Sequence, residues 1–520
     1  MGIIHRLAVA ALLSGAVLSL QSVPAQAEGK VLNLAYGGQG VGQLDPHLST
    51  NTQDMILFGM MFNGLVRFKP GSINPEGIEP DLASSWESSP DGLVWTFHLR
   101  KGVKFHRGFG ELTATDVVYS LGRAGNPKTS AVSSNYREFK SVEAADPYTV
   151  RITLANPVPS LLGLVANYHG GNVVSKKAAE EMGETFKLTP VGTGPFAFEE
   201  YKSGQYVRLL ANKDYFRGKP AIDAIVYNFI QSDASRELAF TKGELDALLG
   251  KREERWVERT KKTQGLAVDV FGPGELRTLN LNMAIKPLDD IRVRKAIAHA
   301  INRDELRDLI GKSVTEATVS PVPNGYLGQT NDVPQYPHDP AKAKALLAEA
   351  GFANGLTLSV IITKNEALFR PMQLVQEQLR RVGITVDLNV VEHAAFHAQI
   401  RKDLSALVFY GAARFPVADI YLTQFYHSRS IVGTPTAVTN FSHCNVADAE
   451  IDAARIETNT ARQKELWAAA QRKIMEQVCV VPLFEQLQVW ARSDKVKYGY
   501  TLKGSMSLGP LFTEASTIAK

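Results

Sequence analysis

His393 and His397 stand four residues apart, so on a helix they share a face and could hold a metal ion together. No third ligand stands at a telling spacing, and the pair equally fits two histidines on an amphipathic surface. Gly311-Lys312-Ser313 ends like a phosphate-binding loop, but the glycine such a loop needs five positions earlier is Leu306, so the tripeptide reads as a helix end. The sequence has no Gly-x-Ser-x-Gly elbow, no His-Glu-x-x-His zinc helix and no Ser-x-x-Lys in a suitable setting. These residues point away from an enzyme, and no resident metal or cofactor is expected. An exported hydrolase is kept as the lesser alternative.

The elements that must position any site are strands alternating with amphipathic helices, which indicates α/β lobes. Strand patterns begin at 31–36, which runs into Gly37-Gly38-Gln39-Gly40, and recur at 95–99, 207–210 and 225–230. Trp95 and Phe97 fall on one face of an alternating strand and are expected in a core. Asp339 can cap a helix with Pro340 at its first position, apolar residues Ala343, Leu346, Leu347 and Ala350, and Gly351 at its end. Further helical patterns cover 290–301, 371–381 and 460–478, the last long enough to kink or split. No internal repeat or proline-rich linker separates the lobes, so the chain is expected to cross between them more than once.

At the N-terminus His5 and Arg6 precede the apolar run 7–20, followed by Pro24 and the small-x-small pattern Ala25-Gln26-Ala27. This is a secretory leader, 1–27, with Glu28 opening the mature protein. The run is short for a membrane span, which needs about 20 residues, and no cysteine follows to accept a lipid. A periplasmic protein is expected. The remaining length, about 490 residues, exceeds what one core organises and implies two or three lobes. A hydrophobic fraction of 44% and a charged fraction of 21% are those of an ordinary globular protein. The net charge is +4, or +3 without the leader's Arg6, and no basic stripe is interleaved with aromatics, which argues against nucleic acid. Cys444 and Cys479 are the only cysteines. Export permits them to pair, and two separate thiols fit as well, Cys479 lying in the apolar run 478–483.

Several blocks together carry a resemblance. They are Leu44-Asp45-Pro46-His47, Met61-Phe62-Asn63-Gly64-Leu65, Pro80-Asp81-Leu82-Ala83, and above all Asp91-Gly92-Leu93-Val94-Trp95-Thr96-Phe97 with Leu99-Arg100-Lys101-Gly102-Val103-Lys104-Phe105-His106. Ala114-Thr115-Asp116-Val117-Val118, Val191-Gly192-Thr193-Gly194-Pro195-Phe196, Ala300-Ile301-Asn302-Arg303 and Val480-Val481-Pro482-Leu483 continue it. The sequence resembles the extracellular solute-binding proteins of the peptide, nickel and opine import family (family 5). The resemblance implies a periplasmic-binding-protein-like α/β fold of two large lobes joined by a hinge, with an extra inserted subdomain. It implies lobe I from 28–63, 190–285 and 495–520, an inserted subdomain 64–189, and lobe II from 286–494. The implied role is to capture a peptide or peptide-like ligand between the lobes, as a monomer, and deliver it to a membrane permease driven by an ATPase. An opine, an anionic sugar conjugate or a nickel chelate is the alternative ligand.

In that family the cleft is lined by segments that map onto 36–43, 166–171 and 410–419, all rich in glycine and aromatics. The ligand contacts so implied are Tyr36, Gln39, Tyr168, His169, Tyr410, Arg414, Phe415 and Asp419, although Tyr168 and His169 equally fit packing at the lobe edge; Arg137 is a further candidate as a second anion contact. Where peptide binders often carry an acid for the peptide amino group, this chain has Arg414. An arginine there suits a carboxylate or phosphate, which it can hold with two parallel hydrogen bonds; an arginine on a solvated loop or paired with a protein carboxylate is the other reading.

Overall fold

The computed structural model describes residues 29–519 apart from Gln39, 50–51, Pro159 and 434–438. The expected leader, the start at Glu28 and the expected contact Gln39 lie outside the described residues. No described helix is long and apolar enough to cross a membrane.

The strand Val31–Tyr36 lies between Ala224–Phe229 and Ala247–Leu249 and is parallel to both. Its apolar side chains are buried on both faces, as a central parallel strand requires. Around it the sheet runs in the order Leu407–Ala412, Leu266–Leu281, Val480–Ser493, Ala247–Leu249, Val31–Tyr36, Ala224–Phe229, Tyr206–Ala211, Phe196–Lys202. Two strands are unusually long. Leu266–Leu281 and Val480–Ser493 run antiparallel to each other, and their ladder slips between Phe271 and Glu275. Beyond the slip, Leu276 to Leu281 pair with Leu407–Ala412.

The slip falls at Gly272-Pro273-Gly274. A side chain at Gly274 would come within 2.9 Å of Glu485 Cβ, so glycine is required for the two strands to stay this close. The slip also divides two hydrophobic cores. One gathers Leu32 to Phe229 with Phe271, Trp490 and Phe512; the other gathers Leu276 to Phe484. A smaller cluster around Phe240, Trp256 and Val489 includes residues of the central strands. The molecule is thus an α/β protein of two lobes joined by two crossing strands.

Within the first lobe a four-stranded antiparallel sheet runs Ala83–Ser88, Val94–Leu99, Thr149–Leu154, Phe139–Asp146. Phe97 is fully buried there, and Trp95 is half-buried with its ring stacked on Phe97. In the second lobe the helix Glu366–Arg380 joins the parallel strands Leu356–Thr363 and Ile384–Val391.

Local signals behave as their chemistry requires. Asp339 accepts from the Lys342 amide at 2.9 Å and caps Pro340–Glu349. The helix Arg303–Ile310 ends before Gly311, whose φ of 120° stops it, so Gly311-Lys312-Ser313 is a helix end. Thr460–Glu476 is one unbroken helix capped by Asn459. Pro371 does not begin its helix: Asn365 caps the segment by accepting from the Ala367 amide, so the helix starts at Glu366 and absorbs the proline in its interior. Cys444 and Cys479 form a disulfide buried in the second core, which resolves the open pairing.

Candidate ligand-binding cleft

Three segments converge where the lobes face each other. From the first lobe come residues 131–136 and the chain from Gly163 to His169; from the second come Ala413, Arg414 and Phe415 with Ile420 and Gln424. Pro273 at the strand slip and Met506 with Leu508 near the C-terminus complete a cavity of about 440 Å³.

Tyr168 and His169 are set on this wall by a tight turn. His169 has φ 46°, a left-handed conformation that histidine tolerates better than most residues, and two glycines follow it. Gly171 must be glycine, since a Cβ there would stand 2.0 Å from the Ala166 carbonyl oxygen. The two rings meet edge to face at 4.2 Å. Burial pushes the His169 imidazole down to about 4 and the Tyr168 phenol up to about 12, the latter opposed by the charge of Arg414. Both side chains are therefore neutral at ordinary pH. His169 Nδ1 is buried without a hydrogen-bond partner.

Arg414 is held from behind. Its Nε donates to Gln424 Oε1 at 2.6 Å, its Nη1 to the Ala413 carbonyl at 2.9 Å, and its guanidinium lies 5.3 Å from the centre of the Phe425 ring. It makes no ion pair with any described carboxylate, and it is the only Lys, Arg, Asp or Glu on the cleft wall among the described residues. Arg277 is a contrast. Its guanidinium packs beneath Gly411, where a Cβ would stand 2.0 Å from Nη1. It donates to Glu275 at 2.6 Å and Gln486 at 2.7 Å, and Arg252 meets Glu275 at 3.2 Å. Burial pushes the Glu275 carboxyl up, but the two guanidiniums outweigh it and hold it at about 2. Arg277 shares the Glu275 carboxylate with Arg252; Arg414 meets no described carboxylate.

The structure brings Tyr168, His169, Arg414 and Phe415 together around one cavity. The other expected contacts lie elsewhere. Tyr36 is half-buried at its strand end and stacks on Tyr227 at 6.3 Å. Tyr410 points into the second core against Phe441 and Phe425, because strand alternation places it opposite Gly411. Asp419 is buried in the first turn of helix Ala418–Tyr426 with Arg455 at 3.7 Å. Arg137 is exposed and bonds the Ser134 carbonyl at 3.0 Å, off the wall. His393 and His397 do share a helix face, their rings 4.8 Å apart, and no group of three potential metal ligands occurs among the described residues.

Sequence reading missed Asn135, Pro273, Gln424 and Met506. For Gln424 a signal existed: once a helix begins at Ala418, Ile420 and Gln424 are four apart and share a face. Asn135 and Met506 are brought in from distant segments, and no local pattern marks them.

Known proteins show the same architecture. The family model described as bacterial extracellular solute-binding proteins, family 5, matches residues 77–432. Di/tripeptide-binding protein 2 of Pseudomonas aeruginosa is 30% identical over 475 residues, covering 85% of this chain and 87% of that protein. MoaA from A. tumefaciens R10, solved in complex with mannopinic acid, is 48% identical with a TM-score of 0.83, over 95% of this chain and all (100%) of that one. DppA from Helicobacter pylori, solved with the peptide STSA, is 29% identical with a TM-score of 0.79, over 95% and 98% of the two chains. With two lobes, a strand-crossed hinge and a cleft between them, the chain belongs to the bacterial extracellular solute-binding proteins of family 5.

Proposed function

We propose that this protein is the periplasmic substrate-binding component of an ABC importer, exported by its leader 1–27. It captures a small ligand between its lobes and presents the closed form to a membrane permease with its ATPase. Binding biases an open-to-closed equilibrium, and no bond is made or broken. The buried Cys444–Cys479 disulfide supports an oxidising compartment.

Of the ligand readings, the non-peptide alternative is the one favoured: a carboxylate-bearing conjugate of the opine type. The observation that carries this is the charge of the wall: among the described residues, one guanidinium without a carboxylate partner and no acid to meet a free peptide ammonium. A carboxylate can engage the guanidinium's free edge while the neutral Tyr168, His169 and Gln424 face uncharged polar groups. The volume of about 440 Å³ suits a small polar molecule. The 48% identity to a protein solved with mannopinic acid supports the same class.

Calorimetric titration of the mature protein with mannopinic acid and, separately, with the dipeptide Met-Leu tests this. Mannopinic acid is expected to bind at least a hundredfold more tightly. At 100 times its dissociation constant it should add about 2.7 kcal/mol of stability. Tighter binding of Met-Leu would move the assignment to the peptide class.

A further inference from the structure

Gly163 has no backbone reason to be glycine. It sits inside the short helix Leu161–Leu164 and is not among the residues with positive φ. Alanine is the better helix former, so the residue weakens the turn it belongs to. What excludes a side chain is a ring from the other lobe. A Cβ built on Gly163 would stand 1.9 Å from Phe415 Cζ, 2.3 Å from Cε2 and 2.6 Å from Cε1, where carbon atoms normally rest about 3.5–4.0 Å apart.

Phe415 packs against both large cores, and its ring centre lies 5.5 Å from that of the buried Phe68 of the first lobe. It directly follows Arg414, and the backbone of both is clamped. Tyr326 holds the Arg414 amide and carbonyl. The Phe415 carbonyl accepts from Val417 at 2.7 Å, and the Pro416 carbonyl from Leu327 at 2.9 Å. Guanidinium and ring therefore move as one unit. Further out, Lys464 of the second lobe meets Glu76 of the first at 2.8 Å.

We propose that Gly163 and Phe415 form a socket and plug that couples capture of the ligand at Arg414 to closure of the lobes. The proposal rests on the reading of this cleft as the ligand site. Gly163 is a positioning residue: it acts by admitting the Phe415 ring. When a ligand draws Arg414 toward the first lobe, Phe415 is carried into the notch, and the apolar contact with Phe68 holds the closed form. A filled notch stops the lobes short while leaving every polar group of the cleft in place.

The test uses the full mature chain carrying Glu76→Cys and Lys464→Cys, which report closure through a short bismaleimide cross-link; both native cysteines are already committed to their disulfide. Gly163→Ala is expected to slow cross-linking at least fivefold without ligand. In the chain without the reporter cysteines it should weaken mannopinic acid at least tenfold. Phe415→Leu removes the three obstructing carbons. Added to Gly163→Ala, it should bring both readouts to within threefold of Phe415→Leu alone. Unchanged cross-linking in Gly163→Ala overturns the proposal. So does a loss that Phe415→Leu fails to relieve, since the methyl would then be damaging the helix or the ligand contact directly. If mannopinic acid fails to bind the parent, the ligand assignment falls, and the ligand-free cross-linking still decides the plug.

Discussion

Tyr326 Oη donates to the Arg414 carbonyl at 2.6 Å and accepts from the Arg414 amide at 2.8 Å, so one phenol closes both backbone groups of the residue that carries the cleft's charge. Tyr326 is buried, and its ring meets Tyr421 edge to face. Tyr326→Phe keeps the ring and deletes both bonds. Leaving a buried backbone group unpaired costs about 1–3 kcal/mol, and these two, being part-buried, fall toward the lower end; Arg414 also loses its fixed orientation. The variant should melt at lower temperature and bind mannopinic acid about tenfold more weakly by calorimetry. Unchanged affinity with lowered stability would mean that the clamp serves the fold alone.

The Cys444–Cys479 disulfide closes a loop of 35 residues in the second core. The chain-entropy account assigns about 4 kcal/mol to a loop of that length, within a usual range of about 2–4 kcal/mol. Cys444→Ala with Cys479→Ala should lower the urea-unfolding free energy by about that amount. Ligand affinity should stay within threefold, because neither cysteine borders the cleft. Equal stability of the parent with and without reductant would contradict this.

Acid should destabilise the fold through buried histidines. Burial, the largest cause in each case, holds His47, His106 and His169 at about 4. In the unfolded chain such rings titrate near 6.5. Between those limits the unfolded state binds more protons, so this stability is present above about pH 6.5 and is lost as pH falls through about 4. A single ring contributes about 3 kcal/mol at full effect. His106 Nε2 donates to the Gly194 carbonyl at 2.9 Å, a bond that an amide can replace without titrating. His106→Gln should lose less stability than the parent between pH 7 and pH 4 in urea melts. Equal acid loss in both would rule out His106 as a source.

The fold was legible because its signals are local. Asp339 with Pro340, and Gly311 after Ile310, state their turns and caps in a few residues. The disulfide was open in sequence because pairing depends on the distance between two segments, here 5.7 Å between Cα atoms. The cleft was half legible. The resemblance placed Tyr168, His169, Arg414 and Phe415 in loops that do face each other. It could not say on which side of its strand Tyr410 falls, nor that Arg455 lies beside Asp419. Pro273 and Met506 reach the wall only because the chain crosses between lobes, which no short pattern records. No local pattern marks Gly163, because the ring that excludes a side chain there belongs to Phe415 of the other lobe.

The ligand reading turns on the charge of Arg414, and titrating mannopinic acid into Arg414→Ala tests it most directly. If the closed cleft desolvates the pair, removing the guanidinium costs about 2–5 kcal/mol, which is roughly 30-fold to several-thousand-fold in affinity. An exposed pair would cost about 1 kcal/mol or less. Arg414→Lys keeps the charge but not the forked geometry and should fall between. Arg414→Ala is expected to bind at least tenfold more weakly with the circular dichroism spectrum unchanged; affinity within threefold of the parent would contradict a ligand-holding role for Arg414.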